Sequence, residues 1–175
     1  MSAESTARLI IVMGLPGSGK TYFAKALSEQ IGAIHYNSDR IRKELNARPG
    51  YSSGEKDLIY KTLFNRVTDR LILGEEIIVD ATFSISAYRS PYLVWAEKRG
   101  IPVYLIRLEA SEQITKERVS RKRPDSDADF AVYKAIKENY EPLKEEHLHL
   151  HSDEDWLEDM VQKALDYMSK RSIVA

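Results

Sequence analysis

Cysteine does not occur in this 175-residue chain. Its absence excludes disulfides, thiolate zinc sites and a cysteine nucleophile, and it fits a reducing compartment. Long apolar runs are missing too: none approaches the roughly 20 residues a helix needs to cross a bilayer. The start, MSAESTARLIIVMG, has a polar, weakly charged lead and too short an apolar segment for a signal peptide. A cytoplasmic protein without a membrane partner is the expectation. An excess of charge is also absent, with 26 Lys and Arg against 27 Asp and Glu and a net charge of −1. No global field pulls toward polyanions, so recognition of phosphate or nucleic acid has to be local. Repeats, low-complexity tracts and linkers are lacking, and the length fits one domain over residues 1–175.

What is present is the make-up of a globular chain, 43% hydrophobic and 30% charged. Short apolar runs alternate with helical patterns. RLIIVM (8–13) reads as a buried strand, and a helix follows from Lys20 to Ile31 with Phe23, Ala24, Leu27 and Ile31 at helical spacing. AIHY (33–36) is a short second strand. A helix starts at Ser38, whose side chain is the expected cap, and ARPGYSSG (47–54) reads as a loop. Leu58, Ile59, Leu63, Val67, Leu71 and Ile72 mark one face of a long helix. EIIVD (76–80) is a third strand, residues 86–99 form a helix, and IPVYLIRLE (101–109) is a fourth strand. Two helical segments flank RPDSDAD (123–129), HLHLH (147–151) suits a fifth strand, and an amphipathic helix running through Trp156, Leu157, Met160, Val161, Ala164, Leu165 and Met168 closes the chain. Strands alternating with helices in this way predict an α/β fold with a five-stranded parallel sheet sandwiched by helices.

Between the first strand and the first helix stands GLPGSGKT (14–21). It satisfies G-x-x-x-x-G-K-[ST], with Gly14, Gly19, Lys20 and Thr21 in the required places. Glycines let backbone amides close around a phosphate chain, and the helix presents its positive N-terminus to it. Leu15, Pro16, Gly17, Ser18 and Tyr22 complete the expected nucleotide-binding stretch, with Lys20 at the terminal phosphates and Thr21 on a magnesium ion. A dinucleotide-binding turn fails on register, because G-x-G-x-x-G counted from Gly17 needs glycine where Tyr22 stands. Guanine-specific Asn-Lys-x-Asp and an Asp-x-x-Gly switch are both missing. Phosphoryl transfer from ATP is the class that remains.

Ligands of such a sheet sit at the carboxyl ends of its strands. Asp39 follows the second strand and Asp80 ends the third, so both carboxylates fall on the rim beside Lys20. Transfer to a hydroxyl needs one group to take the acceptor's proton and another to hold magnesium or the acceptor. Asp39 suits the first role and Asp80 the second. Arg42 lies three residues beyond Asp39, on the same side of a helix. Arg118 and Arg121, also at i and i+3, would sit on a cationic flap able to neutralise the transferred phosphoryl group.

In this order and spacing, GLPGSGKT, HYNSDRIR, IIVDATFSISAYR and LEASEQITKERVSRKRPDSDADFAVY resemble the P-loop kinases related to phage polynucleotide kinase. Zeta toxins and chloramphenicol phosphotransferase are more distant relatives of that group. The resemblance runs from about Arg8 to the last helix. It implies a P-loop NTPase kinase-like fold with a helical lid over about 115–135, and ATP and Mg2+ as cofactors. Asp39 matches the group's general base, Arg42 its contact to the acceptor's phosphate, and Asp80 its strand-three acid. Thr82 and Arg89, in the segment after Asp80, are expected near the acceptor. A lid arginine falls among Arg118, Arg121 and Arg123, with Arg118 expected at the nucleotide and Arg121 in catalysis. The implied reaction carries the γ-phosphate of ATP to a nucleic-acid 5′-hydroxyl or a small-molecule hydroxyl. A zeta-toxin-like sugar-nucleotide kinase and a non-catalytic ATP-binding or ATP-hydrolysing switch are the alternatives.

Three other patterns are set aside. DSDAD resembles the front of a calcium loop, yet Phe130 stands where glycine is needed and Ile136 where the bidentate glutamate belongs. His147, His149 and His151 alternate and read as the polar face of a strand whose buried face is Leu148 and Leu150, rather than as a zinc site. Tyr92, Trp95 and Tyr104 read as packing residues, since no basic patch alternates with them.

Overall fold

The computed structural model describes residues 6–45, 53–121 and 129–174. Five strands, β1 (Arg8–Met13), β2 (Ile34–Asn37), β3 (Glu76–Ala81), β4 (Val103–Glu109) and β5 (Leu148–His151), form one sheet in the order β2-β3-β1-β4-β5. Every pairing is parallel. The first strand is therefore central, with Val12 beside both Asp80 and Ile106.

Strand alternation divides the core between the two faces. Ile10, Val12, Ile78, Tyr104 and Ile106 pack beneath α1 (Lys20–Ile31) and α7 (Leu157–Val174), which contribute Phe23, Ala24, Leu27, Met160, Ala164 and Met168. Leu9, Ile11, Met13, Ile77 and Val79 pack beneath α3 (Ser53–Ile72) and α4 (Ser86–Glu97). On α3 the buried stripe is Ile59, Leu63, Val67 and Leu71 at intervals of four. Leu58 and Ile72 were expected on that stripe, but they are 54% and 64% exposed because one residue off the interval turns a side chain about 100° away. Trp156 departs similarly. It precedes the first turn of α7, so the helical period does not reach it, and it is 79% exposed.

Of the 47–54 loop, Ser53 and Gly54 already belong to α3, and 47–52 lie outside the described residues. The lid region contributes α5 (Glu112–Ser120) and α6 (Phe130–Glu138). Arg123 and most of DSDAD fall outside the described residues, while Asp129 caps α6 by accepting from the Val132 amide at 2.9 Å. Tyr92 and Tyr104 are core residues, and Trp95 is half-buried beneath the Arg99 guanidinium, 4.2 Å from its ring centre. No helix among the described residues is long and apolar enough to cross a membrane.

Candidate active site

Residues 14–19 leave the end of β1 and turn into α1 at Lys20. The turn is gripped from two directions. A Cβ at Gly14 would stand 2.5 Å from the Leu108 carbonyl oxygen, so the loop approaches β4 as closely as only glycine allows. Gly17 has φ 79°, and a Cβ there would meet Val119 Cγ1 at 2.9 Å and Thr115 Cγ2 at 3.0 Å. Helix α5 thus lies directly on the loop. Gly19 is the N-cap of α1 and offers no side chain to its first-turn amides, which leaves them to an anion. Lys20 and Thr21, the first two residues of α1, are half-buried.

Two further side chains fasten the loop. Ser152, just past β5, donates from Oγ to the Ser18 carbonyl at 2.6 Å. Arg118 donates from Nη1 to the Gly17 carbonyl at 3.1 Å and to Ser152 Oγ at 2.8 Å. Arg121 ends α5 in an extended conformation. Arg118, Arg121, Gly19 and Tyr22 line an open cleft of about 630 Å³ with Ser152 and Trp156. The lid arginines and the loop expected to hold nucleotide are therefore brought together.

On the other side of the loop lies a buried polar cluster. Asp80 is fully buried at the end of β3. Thr21 donates from Oγ1 to Asp80 Oδ1 at 3.2 Å, and Asn37 donates from Nδ2 to Asp80 Oδ2 at 2.8 Å and to Thr21 Oγ1 at 3.2 Å. His35 Nε2 is 2.9 Å from Asp80 Oδ2. A carboxylate with this many partners is stabilised where an unpaired one would be costly. Both of its oxygens are engaged, Oδ1 by Thr21 and Oδ2 by Asn37 and His35.

Helix α2 (Ser38–Glu44) starts at this cluster. The expected cap was Ser38; the observed one is Asn37, whose Oδ1 accepts from the Arg40 amide at 3.0 Å while Ser38 is a buried first-turn residue. Asn37 is still extended at the end of β2, which is the conformation an N-cap requires. Asp39 and Arg42 form an ion pair across one turn, with their side chains only 19% and 16% exposed. Tyr60 stacks on Tyr88, ring centres 3.9 Å apart, and its hydroxyl accepts from the Phe83 amide at 3.1 Å. Burial pushes the Tyr60 hydroxyl above its ordinary pKa, with Asp39 adding to the rise and Arg42 opposing it. Burial and the hydrogen bond to Asp57 push Tyr88 up to about 12.

Thr82 is half-buried just beyond β3, and Phe83 after it has φ 49°, a left-handed conformation rare for an aromatic residue. Arg89, expected near the acceptor, holds that turn. Its guanidinium donates to the carbonyls of Phe83 at 2.9 Å, Glu141 at 3.1 Å and Pro142 at 3.4 Å, and the residue is 3% exposed. Asn37, Tyr60 and Ser152 were not singled out from sequence, and His35 was read only as a strand residue, which it is. The asparagine before Ser38 was a legible signal, since asparagine caps helices as well as serine does. For Ser152, 134 residues from Ser18, local sequence holds no signal.

A central P-loop strand, parallel neighbours and a helical lid on the loop define a kinase-like P-loop domain. The chain belongs to the AAA domain family, whose profile matches residues 9–143. An uncharacterized protein of Mycobacterium tuberculosis is 27% identical over 147 residues, covering 76% of this chain and 29% of that protein. The chain thus spans less than a third of the length of this mycobacterial relative. The adenylyl-sulfate kinase of Halothermothrix orenii is 25% identical over 169 residues, covering 92% of this chain and 89% of the kinase. Among solved structures, the fold matches the Mycobacterium tuberculosis APS kinase in complex with AMPPNP and APS. The TM-score is 0.74 at 19% identity, over 93% of this chain and 98% of that one. It also matches a gluconokinase from Sinorhizobium meliloti, with TM-score 0.71 at 18% identity over 95% and 94% of the two chains.

Proposed function

We propose that this chain is a one-domain, ATP-dependent kinase that phosphorylates a hydroxyl of a small anionic acceptor. The observation that carries this reading is the Asn37 link. It joins the Thr21–Asp80 pair at the phosphate loop to the helix bearing Asp39 and Arg42. A mere nucleotide switch has no need of a carboxylate and a guanidinium paired beside its phosphates.

In this reading the amides of 14–19 and Lys20 hold the donor phosphates, and Arg118 and Arg121 close over them from α5. Asp39 takes the proton of the acceptor hydroxyl as its oxygen bonds to the γ-phosphorus and the bond to the ADP oxygen breaks. Arg42, already beside Asp39, grips the acceptor's negative group. Thr21 and Asp80 offer hard oxygen donors of the kind magnesium takes, so the site fits that ion, with Thr21 as ligand and Asp80 orienting its hydroxyl. Magnesium, when bound, supplies neutralisation of charge shared by the β- and γ-phosphate oxygens. The adenylyl-sulfate kinase and gluconokinase matches, named for small acceptors, support the small-molecule class. A nucleic-acid 5′-hydroxyl is the second reading, favoured by the polynucleotide-kinase-like pairing of Asp39 with Arg42.

The test is incubation with γ-labelled ATP and a panel of anionic metabolite alcohols and 5′-hydroxyl oligonucleotides. Label on a small alcohol is the expected outcome, and label on the oligonucleotides selects the second reading. Label released only as free phosphate across the panel overturns transfer in favour of an ATP-hydrolysing switch.

A further inference from the structure

Strands β4 and β5 run parallel at one edge of the sheet, with Arg107 opposite His149 and Glu109 opposite His151. Alternation sends Leu150 into the core, where it is 1% exposed, and puts His149 and His151 together on the other face. Their ring centres are 4.5 Å apart. From the neighbouring strand Glu109 reaches the same place, its Oε2 lying 2.7 Å from His149 Nε2. One donor atom from each of Glu109, His149 and His151 lies within 4.8 Å of the other two. Sequence alone read the histidines as the polar face of a strand; the strand pairing adds Glu109, 40 residues away in the chain from His149.

We propose that Glu109, His149 and His151 form a zinc site at the β4–β5 edge, distinct from the Thr21–Asp80 position. Two imidazoles and a carboxylate are the donor set zinc takes when it leaves a fourth place for water. Ligand distances of about 2.0–2.2 Å require the three side chains to rotate onto a common point. The half-exposed His149 and Glu109 side chains have room to do so. Arg107 is the opposing charge, its Nη2 3.7 Å from Glu109 Oε2, and it also lies over the Tyr140 ring, where it can remain when Glu109 turns to an ion. Occupancy has a consequence for the phosphate loop. Ser152 follows His151 directly, donates its amide to the Glu109 carbonyl at 2.9 Å and its hydroxyl to Ser18. An ion joining Glu109 to His151 therefore clamps the backbone that holds the loop.

Isothermal titration of the untagged chain with zinc chloride, without nucleotide, tests the site. One zinc per chain is expected. Glu109→Gln, His149→Gln and His151→Gln should each weaken it by about tenfold or more, since loss of even an outer-shell partner costs 10–100-fold. His147→Gln should leave it unchanged, and circular dichroism checks that each variant is folded. No saturable binding overturns the proposal. So does zinc binding that the three variants leave intact, or binding lost only in Asp153→Asn and Glu154→Gln, which would move the ion to the other side of His151. None of these outcomes depends on kinase activity.

Discussion

Asn37 uses both ends of one short side chain, its amide nitrogen on Thr21 and Asp80 and its oxygen on the first turn of α2. Asp39, two residues on, is held by that turn and by Arg42, so it is a fixed carboxylate. Asp39→Asn keeps this geometry and removes the proposed base. Turnover should fall on the order of 10² to 10⁴ with ATP affinity nearly unchanged, read from initial rates and nucleotide titration. A variant that keeps its rate and only melts earlier would reduce Asp39 to a helix-stabilising charge. Arg89 should behave in the opposite way. With three carbonyls on its guanidinium, Arg89→Met strands buried acceptors and should destabilise the fold by roughly 1–3 kcal/mol in denaturant unfolding, with nucleotide affinity retained. The two residues looked alike as charged neighbours of apolar runs. The place of Asp39 just after the second strand was legible in the sequence, whereas the Glu141 and Pro142 carbonyls that Arg89 holds are remote in sequence and were not.

At the scale of elements, the strand and helix bounds were readable to within about two residues, as β4 beginning at Val103 and α4 ending at Glu97 show. Helix α1 spans Lys20–Ile31 as its apolar spacing predicts, and β2 is shifted one residue from the expected 33–36, ending on Asn37, which also caps α2. What periodicity cannot convey is how elements meet. The packing of α5 on the phosphate loop shows in the 2.9 Å that would separate a Gly17 Cβ from Val119. Gly17→Ala therefore has to move α5 or bend the loop, and at φ 79° it adds about 1–2 kcal/mol of backbone strain. ATP affinity should drop by about tenfold or more in calorimetric titration, a factor of ten being about 1.4 kcal/mol. Unchanged affinity would mean that α5 yields freely. The start of α5 also carries an acid-sensitive fastening. Asp153 accepts from the Ser111 amide at 2.9 Å, and that bond lowers the carboxyl's pKa. A lowered folded-state pKa gives stability that is complete above the unfolded carboxyl range and lost as pH falls through the folded value. Melting temperatures of the native chain and Asp153→Ala should therefore differ most near neutrality and converge in acid. A gap that widens in acid would contradict this assignment.

For the whole molecule, the strand order β2-β3-β1-β4-β5 sets where chemistry is possible. Alternating strands and helices made a parallel sheet legible, because crossover helices of this length have few other uses. Which strands adjoin was not legible, and with it went the Glu109 partner of the histidines and the reach of Ser152. A further effect of that order concerns synthesis. Strand β1 leaves the ribosome first, yet its neighbours begin only at Glu76 and Val103, and the Ser152 hydroxyl that holds Ser18 arrives 134 residues after it. Throughout most of translation the phosphate loop exists as sequence without its walls. In the proposed kinase, bound nucleotide therefore stabilises the chain fully only once β5 and Ser152 are in place.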